Sequence, residues 1–402
     1  MALMKPAVEL LLDLMGGKGL APAGSLNWEE LHAAARSHGL APWLYSQLKT
    51  EDKAAVPPGV MQALRMDYMA TASRNMIVYR DLKVLLNTFA EAGVAVILLK
   101  GVYLADAIYG SLALRPMGDI DLLVRQGDLK TAGALMTQLG YQPLNPYDAE
   151  NEDWKQHLPS FSKPGALPVE IHWTIMDPEV FELPPAELAG LWQRAREVKV
   201  NGLPALTLSA EDMFLHLCLH ISSHHQFVVG LNHLLDLQLV MRREPDLDWK
   251  ALAQRARIWG GANGLYLTLR VLREVLGVDV PTQALALLNP GRDVDDLLEW
   301  AVNKLIGGAR EGPSSRVVKL AGEENLGSRA RIIWSRLFPA REELAYHYHA
   351  DPSSWKINLF YFVRIKDMLA RYGMTGWRIL RGDPEVAGPA LREKQLREFL
   401  QH

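Results

Sequence analysis

The chain has 402 residues, of which 49% are hydrophobic and 22% are charged, and its formal net charge is −3. These values are ordinary for a folded globular protein, and the length is sufficient for two or three domains. The small net charge gives no general reason to expect a polyanionic partner. Cys218 is the single cysteine, which excludes an intrachain disulfide and a cysteine-based zinc cluster.

The start of the chain and its hydropathy predict a protein of the cytoplasm. The first residues, Met-Ala-Leu-Met-Lys-Pro, do not form a charged leader followed by an apolar run and a cleavage site. No segment reaches about 18 uninterrupted apolar residues, so we expect no membrane-spanning helix and no stable membrane insertion.

Residues 1–92 read as an N-terminal helical region. Asn27 is a suitable cap for a helix that begins at Trp28. Apolar residues at helical spacing predict a second, long helix from about Val60 to Ala92, and Gly93 is a typical helix stop.

Residues 93–205 read as a compact α/β core. The apolar run 94–99 predicts a buried strand, and Lys100-Gly101 follows where a helix begins. A second strand contains Asp119 and Asp121. Two more strands, at about 158–162 and 167–174, flank the turn residues Lys163-Pro-Gly165 and predict a hairpin.

Asp119 and Asp121 are two residues apart in a predicted strand, so their side chains project from one face. Adjacent carboxylates repel each other unless a cation neutralises them, and hard oxygen ligands suit Mg²⁺ or Mn²⁺. Glu170, in the strand Val169-Glu-Ile-His172, offers a third acid, and His172 shares its face. We therefore predict a metal site built from three acids on neighbouring strands.

A phosphate-binding element is predicted at Lys100 and Gly101, between a strand and a helix. Gly101 permits close backbone approach, and free N–H groups at a helix start favour an anion. Lys100 either adds positive charge there or faces solvent. Arg115, four residues before Asp119, is placed to reach a triphosphate or pyrophosphate.

Residues 206–382 read as a C-terminal helical domain, followed by a charged tail helix at 383–402. Ser209 and Asp212 form a capping box. His216, His220 and His224 recur every four residues, which places them on one helix face. Three interpretations remain open: a zinc site, helix-interface residues with satisfied nitrogens, or His220 and His224 lining a substrate cleft. Asp236 could pair with one of these histidines.

Two later segments have alternative interpretations. Residues 356–366 combine aromatic side chains with flanking positive charge, which favours a buried amphipathic helix over contact with a membrane surface. The arginines at 329, 331, 336 and 341 favour a solvated helix face over an RNA-binding surface.

Three motifs together carry a family resemblance: Leu98-Leu-Lys-Gly101, the segment from Arg115 to Val124 (Arg-Pro-Met-Gly-Asp-Ile-Asp-Leu-Leu-Val), and Val169-Glu-Ile-His-Trp173. They resemble the bacterial uncharacterised nucleotidyltransferase family, within the DNA polymerase β-like superfamily. The resemblance is strongest over residues 75–175 and extends more loosely to about 260, and again through Leu337–Arg341.

The resemblance implies an α+β fold, with a small mixed-sheet core between an N-terminal and a larger C-terminal helical region. It implies an enzyme that transfers a nucleoside monophosphate from an NTP such as ATP to an acceptor hydroxyl or phosphate. The implied metal-binding and catalytic triad is Asp119, Asp121 and Glu170, which would hold two Mg²⁺ ions, with Mn²⁺ as the alternative. Glu170 would help to take the acceptor proton. The implied nucleotide-binding residues are Lys100, Gly101, Ser111, Arg115 and His172.

One departure from the superfamily pattern is that Val102-Tyr103 follows Gly101, where a second small residue is usual. We therefore expect Arg115 or Ser111 to contribute more to triphosphate binding. The acceptor favoured is a small molecule or biosynthetic intermediate. Two alternatives remain: a toxin-like nucleotidyltransferase that modifies tRNA or protein, and a non-catalytic nucleotide-binding regulator.

Overall fold

A computed structural model describes residues 6–19, 27–50, 56–144, 156–176, 178, 181–307, 353–380 and 384–400, with separate positions between 327 and 351. The chain forms two compact units. The first comprises Met1–Asn145, Asp153–Arg310 and Leu400–His402, and the second comprises Pro146–Glu152 and Glu311–Phe399. The four-part division expected from the sequence stays a prediction.

The first unit opens with helices, as predicted. Their bounds are α1 Pro6–Met15, α2 Trp28–Ser37, α3 Ala41–Thr50 and α4 Pro58–Glu91. Asn27 caps α2, because its side-chain oxygen accepts hydrogen bonds from the backbone N–H groups of Glu29 and Glu30, each at 3.2 Å. The chain leaves α4 through Gly93, whose φ of +73° is a left-handed conformation that glycine adopts without strain.

A mixed seven-stranded sheet follows, in the order β3-β4-β5-β2-β1-β7-β6. The strands are β1 Ile97–Leu98, β2 Ile120–Leu123, β3 Gln142–Pro143, β4 Phe161–Ser162, β5 Val169–His172, β6 Arg196–Val200 and β7 Leu203–Thr207. Strand β2 pairs with β1 antiparallel and with β5 parallel. The predicted α+β class and mixed-sheet core are confirmed.

Three strands, β1, β4 and β5, are shorter than the sequence predicts. The apolar run 94–99 yields only Ile97–Leu98, because the N–H of Val94 still bonds the carbonyl of Phe89 and so completes the end of α4. The predicted hairpin forms from β4 and β5, which pair antiparallel at Phe161 and Val169. Its turn includes Gly165, with a φ of +75°.

Helices surround the sheet. Helix α5, Lys100–Tyr103, runs on into a π-helical turn at Leu104–Ile108, and α6 spans Leu129–Gln138 and α7 Pro185–Gln193. After the sheet come α8 Ala210–Leu219 with a π-helical turn at His220–His224, α9 Asn232–Arg243, α10 Trp249–Ile258, α11 Ala262–Leu276, α12 Thr282–Leu288 and α13 Asp295–Gly307.

Helix α8 is the most deeply embedded helix near the sheet, with every residue from Asp212 to Leu219 buried. Its predicted cap is confirmed, since the Ser209 hydroxyl accepts a hydrogen bond from the N–H of Asp212 at 3.1 Å. A helix that is buried all round must satisfy any polar side chain internally. The buried histidines of α8 therefore require partners inside the protein.

In the second unit, α14 spans Ile357–Leu380 and α15 spans Pro384–Leu400. Ile357 packs in a small apolar cluster with Leu344 and Ala345, whereas Phe362 on the same helix is exposed. Arg331 is exposed, and Arg341 donates a hydrogen bond to the carbonyl of Ser354. The other two arginines of that segment, at 329 and 336, lie outside the described residues.

None of the helices in the described ranges combines the length and apolar character that crossing a bilayer requires.

Candidate active site

The parallel pairing of β2 with β5 creates an acidic cluster. Asp121 lies directly opposite Glu170, and Leu123 lies opposite His172. Because side chains alternate along a strand, Asp121, Glu170 and His172 share one face, while Ile120 and Ile171 are buried on the other. The acids of separate motifs are therefore brought together by strand register.

Distances within this cluster are short. The Nε2 atom of His172 lies 3.0 Å from Oδ1 of Asp121 and 3.4 Å from Oε2 of Glu170. One possible ligand atom from each of the three residues lies within 4.8 Å of the others. Such a set of two carboxylates and an imidazole can hold a divalent cation.

Lys100 reaches the cluster from the end of β1. The backbone N–H of Leu99 bonds the carbonyl of Asp121, and the ammonium of Lys100 lies 3.4 Å from Oδ2 of Asp121. Lys100 has a φ of +41°, a left-handed conformation that costs energy in a residue other than glycine. The backbone turn aims this side chain at the acids, so of the two orientations considered it does not point to solvent.

Asp119 occupies a different position from Asp121. Asp119 precedes β2 by one residue and does not belong to the three-residue cluster. It lines a cavity next to that cluster. Burial raises the pKa of Asp119 to about 6, and the negative charges of Asp121 and Glu170 add to this effect. The compact triad in the structure is therefore Asp121, Glu170 and His172, with Asp119 beside it.

Of the other three groups, the carboxylates of Asp121 and Glu170 are held in their charged forms. Burial opposes ionisation of Asp121, but Lys100 and His172 outweigh it and hold the pKa of Asp121 well below its usual value. The hydrogen bond from His172 lowers the pKa of Glu170 to about 2. For His172, burial is outweighed by both carboxylates, and its pKa is raised.

Asp119 and Glu170 line a cavity of about 260 Å³, whereas Asp121 is not among its lining residues. The lining combines charged and polar groups from the sheet region with apolar residues and with histidines of α8 and of the segment that follows it. The lining residues are Lys100, Asp119, Gln156, His157, Glu170, His172, Ile175, Met176, His216, Leu219, His220, His224 and His225.

The histidines of this lining are closely packed. The ring centroid of His220 lies 5.4 Å from that of His224 and 4.5 Å from that of His225. Burial lowers the pKa of His220 well below its usual range and that of His225 to about 3, so both rings are neutral at neutral pH. Burial also lowers the pKa of His216 well below its usual value, and a backbone hydrogen bond with Ile175 opposes this effect.

These observations bear on each of the three interpretations of the α8 histidines. Among the described residues, Asp121, Glu170 and His172 form the one group of possible ligands close enough to hold a metal, so a preformed zinc site on α8 is not found. His216 has a backbone hydrogen bond with Ile175, so its interpretation as a helix-interface residue stays open. His220 and His224 do line the cavity, and their contact with substrate stays a prediction.

Arg115 is not at the cavity. It is buried, and its guanidinium donates two hydrogen bonds of 2.8 Å to the carboxylate of Asp236, which also accepts one from the Tyr109 hydroxyl. Two of its N–H donors already serve a buried carboxylate, and contact of Arg115 with a triphosphate stays a prediction. The expected pairing of Asp236 with a histidine is replaced by this Arg115 pair.

Ser111 and Gly101 also have local structural partners. The Ser111 hydroxyl accepts a hydrogen bond from the N–H of Ala113, and Ser111 does not line the cavity. A Cβ atom at Gly101 would lie 3.1 Å from Nη1 of Arg115 and 3.3 Å from Met117. Close packing is thus a sufficient reason for glycine at this position, and the nucleotide-binding roles of both residues stay predictions.

Sequence reasoning did not single out several residues that line the cavity or contact its acids. Ser160 donates a 2.8 Å hydrogen bond to Oε1 of Glu170, and Nε2 of His157 lies 3.9 Å from Oε2. The hairpin pairing of 158–162 with 167–174 could have indicated Ser160. His157 and His225 carry no comparable pattern, because they lie outside regular strand or helix periodicity.

Comparison with known families agrees with the motifs. A family model described as an uncharacterised nucleotidyltransferase matches residues 24–277. This chain belongs to that nucleotidyltransferase family. The resemblance inferred from the three motifs is confirmed, and the enzyme class it implies is that of the family.

The similarity of this chain to individual proteins is low. Among solved structures, the antibiotic-resistance factor ANT(2'')-Ia is similar to this nucleotidyltransferase, with 15% sequence identity and a TM-score of 0.34. The similarity covers 46% of this chain and 94% of that one. No match was found among curated proteins.

Proposed function

We propose that this nucleotidyltransferase transfers a nucleoside monophosphate from an NTP to a hydroxyl or phosphate of an acceptor, with release of pyrophosphate. The observation that carries the proposal is the register of β2 and β5, which pairs Asp121 with Glu170 beside a cavity that Lys100 and Asp119 also line. Two ionised acids, a third acid and a lysine provide both cation ligands and a contact for phosphate.

The donor set fits Mg²⁺ or Mn²⁺. Asp121 and Glu170 are ionised at neutral pH, and their oxygens are the ligands that these cations prefer. Asp119 would be the third ligand, since a cation would relieve the repulsion from Asp121 and Glu170 that adds to desolvation in raising its pKa to about 6. Two bound cations would neutralise phosphate charge and lower the pKa of the acceptor hydroxyl.

His172 and Lys100 balance the charge of the acids. A protonated His172 donates between Asp121 and Glu170, and the Lys100 ammonium faces Asp121. We infer that Lys100 turns to the triphosphate when a cation neutralises Asp121, because its side chain is long enough to serve either partner. His172 then orients the two carboxylates that remain.

Proton removal from the acceptor is assigned differently from the sequence prediction. A carboxylate with a pKa of about 2 is a weak proton acceptor, which disfavours Glu170 as the general base. Because Asp119 is also assigned as a cation ligand, the bound cations, which would lower the pKa of the acceptor hydroxyl, contribute more to its deprotonation than a protein base. Glu170 acts mainly as a cation ligand in this proposal.

The test uses full-length protein with Mg²⁺, a cell extract as the source of acceptors, and each NTP labelled in turn at the α- or the γ-phosphate. We expect the α-label to appear in a new product and the γ-label in pyrophosphate. Asp121→Asn should abolish both, whereas Asp128→Asn, a partly exposed aspartate without a capping hydrogen bond, should not.

The size of the labelled product distinguishes the acceptor classes. A small labelled product supports the favoured acceptor, while labelled RNA or protein supports the toxin-like alternative. Incorporation of the γ-label, or equal labelling by the Asp121→Asn protein, would contradict nucleotidyl transfer at this site. NTP binding without pyrophosphate release would support the non-catalytic regulator.

A further inference from the structure

Helix α4 has apolar side chains on two opposite sides. One side packs into the first unit, and the buried residues of the helix are Leu64, Asn75, Val78, Tyr79, Leu82, Leu85 and Phe89. On the other side, Met66 and Met76 are each 66% exposed, and Met69, Ile77 and Val84 are exposed as well. Single exposed apolar residues are ordinary, but several that are aligned along one helix indicate an interaction surface.

The exposed apolar residues follow a seven-residue period. Met69 and Met76 are seven positions apart, and Ala70, Ile77 and Val84 repeat at the same interval. Seven residues are close to two helical turns, so these side chains form a seam along one side of the helix. One helix presents such a seam to another in knobs-into-holes packing. We call this seam the outer face of α4, and it consists of Met66, Met69, Ala70, Met76, Ile77 and Val84.

The charges beside the outer face are positive. Between residues 62 and 90 the exposed charged positions are Arg65, Arg74, Arg80 and Lys83. The two acids of this stretch are already paired, since Asp67 lies 2.6 Å from Nε2 of His32 and Asp81 lies 2.8 Å from Nη2 of Arg80. Within the described part of the chain, no carboxylate pairs with the other three cations. The outer face therefore combines apolar side chains with uncompensated positive charge.

A cavity of about 350 Å³ adjoins the outer face. Its lining includes Ala70 and Arg74 of α4, Arg36 of α2 and Pro116 of the loop before β2. The carboxylate of Asp67 in this lining contacts a histidine of α2 and Arg36, whereas Arg74 is the guanidinium without a carboxylate partner among the described residues. Such a cavity can receive an acidic side chain from a molecule that docks on α4.

We propose that the outer face of α4 docks an amphipathic α-helix of a partner protein, with an apolar seam flanked by aspartate or glutamate. The partner's apolar side chains would pack on Met69, Met76 and Ile77, where flexible methionines can adapt to their shape. Its acids would face Arg65 and Arg74. A second copy of this chain is disfavoured as the occupant, because two such faces would bring like charges together. The proposal does not depend on the proposed function.

Two other classes of partner match the outer face less well. A helix that lies on an anionic membrane typically inserts tryptophan, phenylalanine or leucine, whereas the outer face consists of methionine, alanine, isoleucine and valine. RNA is typically bound by basic residues together with aromatic side chains on which bases stack, and the methionine seam provides no such stacking surface.

The test measures binding of two synthetic helical peptides to the full-length protein by fluorescence anisotropy. Both peptides have about 24 residues, which is long enough to form a helix, and both carry the same seam of leucine and alanine. Glutamate flanks the seam in one peptide, and lysine flanks it in the other. We expect the glutamate peptide to bind at least about tenfold more tightly, because like charges across an interface are unfavourable.

Two variants separate the apolar and the charged parts of the surface. Met76→Gln should weaken binding of the glutamate peptide by about tenfold, because it removes apolar contact area. Arg74→Glu should weaken binding of the glutamate peptide and strengthen binding of the lysine peptide. The matched controls are Ile258→Gln on α10 and Arg242→Glu on α9, which are exposed positions outside the surface and should bind like the wild type. Surface changes of this kind leave the fold intact, which thermal melts verify.

The proposal is wrong if the two peptides bind equally, if neither binds, or if Met76→Gln and Ile258→Gln have the same effect. In the case that neither peptide binds, the same variants are tested with phosphatidylglycerol vesicles, with transfer RNA and for self-association by sedimentation. An interaction that Met76→Gln then abolishes would assign the outer face to a membrane, to RNA or to a second copy of the chain.

Discussion

At the scale of single residues, Asp119 and Asp121 differ in charge environment although only Ile120 separates them. The sequence suggests two equivalent carboxylates that repel each other. In the structure, the charge of Asp121 is compensated by Lys100 and His172. Asp119 is exposed, but desolvation by the surrounding protein and the charges of its acidic neighbours destabilise its ionised form. The two residues should therefore respond in opposite directions to loss of charge.

We predict that Asp119→Asn raises the melting temperature at pH 7.5 and that Asp121→Asn lowers it. The pKa of Asp119 is raised in the folded state, so its ionisation opposes folding fully above about pH 6 and not at all below the ordinary value of 3.8. The lowered pKa of Asp121 means that its ionised form stabilises the fold, above its ordinary value of 3.8.

Thermal melts at pH 7.5 and pH 4 test this contrast, with Asp128→Asn as the control. The gain from Asp119→Asn should shrink at pH 4. Both site variants should lose transfer activity by about 10²-fold or more, since each removes a charge next to the reacting phosphate. Equal shifts of the melting temperature in the same direction would contradict the assigned environments.

At the scale of elements, the loop before β2 is held by buried polar contacts. Asn75 of α4 donates hydrogen bonds to the carbonyls of Leu112 and Arg115, at 2.6 and 2.8 Å. The Arg115 side chain then binds Asp236 of α9. These contacts connect α4, the loop and α9, and so position Asp119 at the start of the strand.

We predict that Asp236→Asn costs about 3–5 kcal/mol of the free energy of unfolding, because it leaves the Arg115 guanidinium buried without a counter-charge. The double variant Arg115→Met with Asp236→Leu should recover a large part of that loss. Urea denaturation measures both. As a control, Glu244→Gln removes a partly exposed partner of Arg196 and should cost about 1 kcal/mol or less.

If Asp236→Asn unfolds no more easily than Glu244→Gln, the buried pair is not the anchor of this loop. If the double variant is as unstable as the single one, the loss comes from packing and not from the unpaired charge.

Helix α8 and its π-helical turn should make the protein sensitive to acid. Burial lowers the pKa values of His216, His220 and His233, and lowers that of His225 to about 3. Below the ordinary value of 6.5 the unfolded chain takes up protons at these positions and the folded protein does not. Stability should therefore fall as the pH drops through about 6.5.

The expected slope is about 1.4 kcal/mol per pH unit for each histidine that stays neutral in the fold. His220→Leu should reduce the loss of folding stability between pH 7.5 and pH 5.5 by about 1.4 kcal/mol for each pH unit below 6.5. His172, whose pKa is raised, acts in the opposite sense and leaves this difference between variants unchanged. Denaturation at a series of pH values provides the measurement, and identical slopes for wild type and variant would contradict buried neutral rings.

The sequence predicted those strands and helix caps that local residue patterns determine. The Asp-Ile-Asp strand, the Val-Glu-Ile-His strand and the helix caps at Asn27 and Ser209 follow from period and residue type, and the motifs led to the family. It did not predict contacts set by distant packing. Asp236, the partner of Arg115, is 121 positions further along the chain. The position of His172 between Asp121 and Glu170 depends on the register of β2 and β5.

At the scale of the whole molecule, the residues of the candidate active site lie in the first compact unit. Apart from Pro146–Glu152, the family match, residues 24–277, lies within the sequence ranges of that unit, and it ends at Gly277, directly after α11. Glu311–Phe399 of the second unit lies beyond the match. The site, the cavity and the buried Arg115 pair are all built from residues of the first unit.

The most direct test of this account is a titration of Mn²⁺ followed by electron paramagnetic resonance, in the presence of an NTP. The account predicts that the wild type binds Mn²⁺, that Asp121→Asn and Glu170→Gln each weaken binding by about tenfold or more, and that Glu182→Gln at an exposed position does not. Equal Mn²⁺ affinity in all four proteins would contradict a cation site at the junction of β2 and β5.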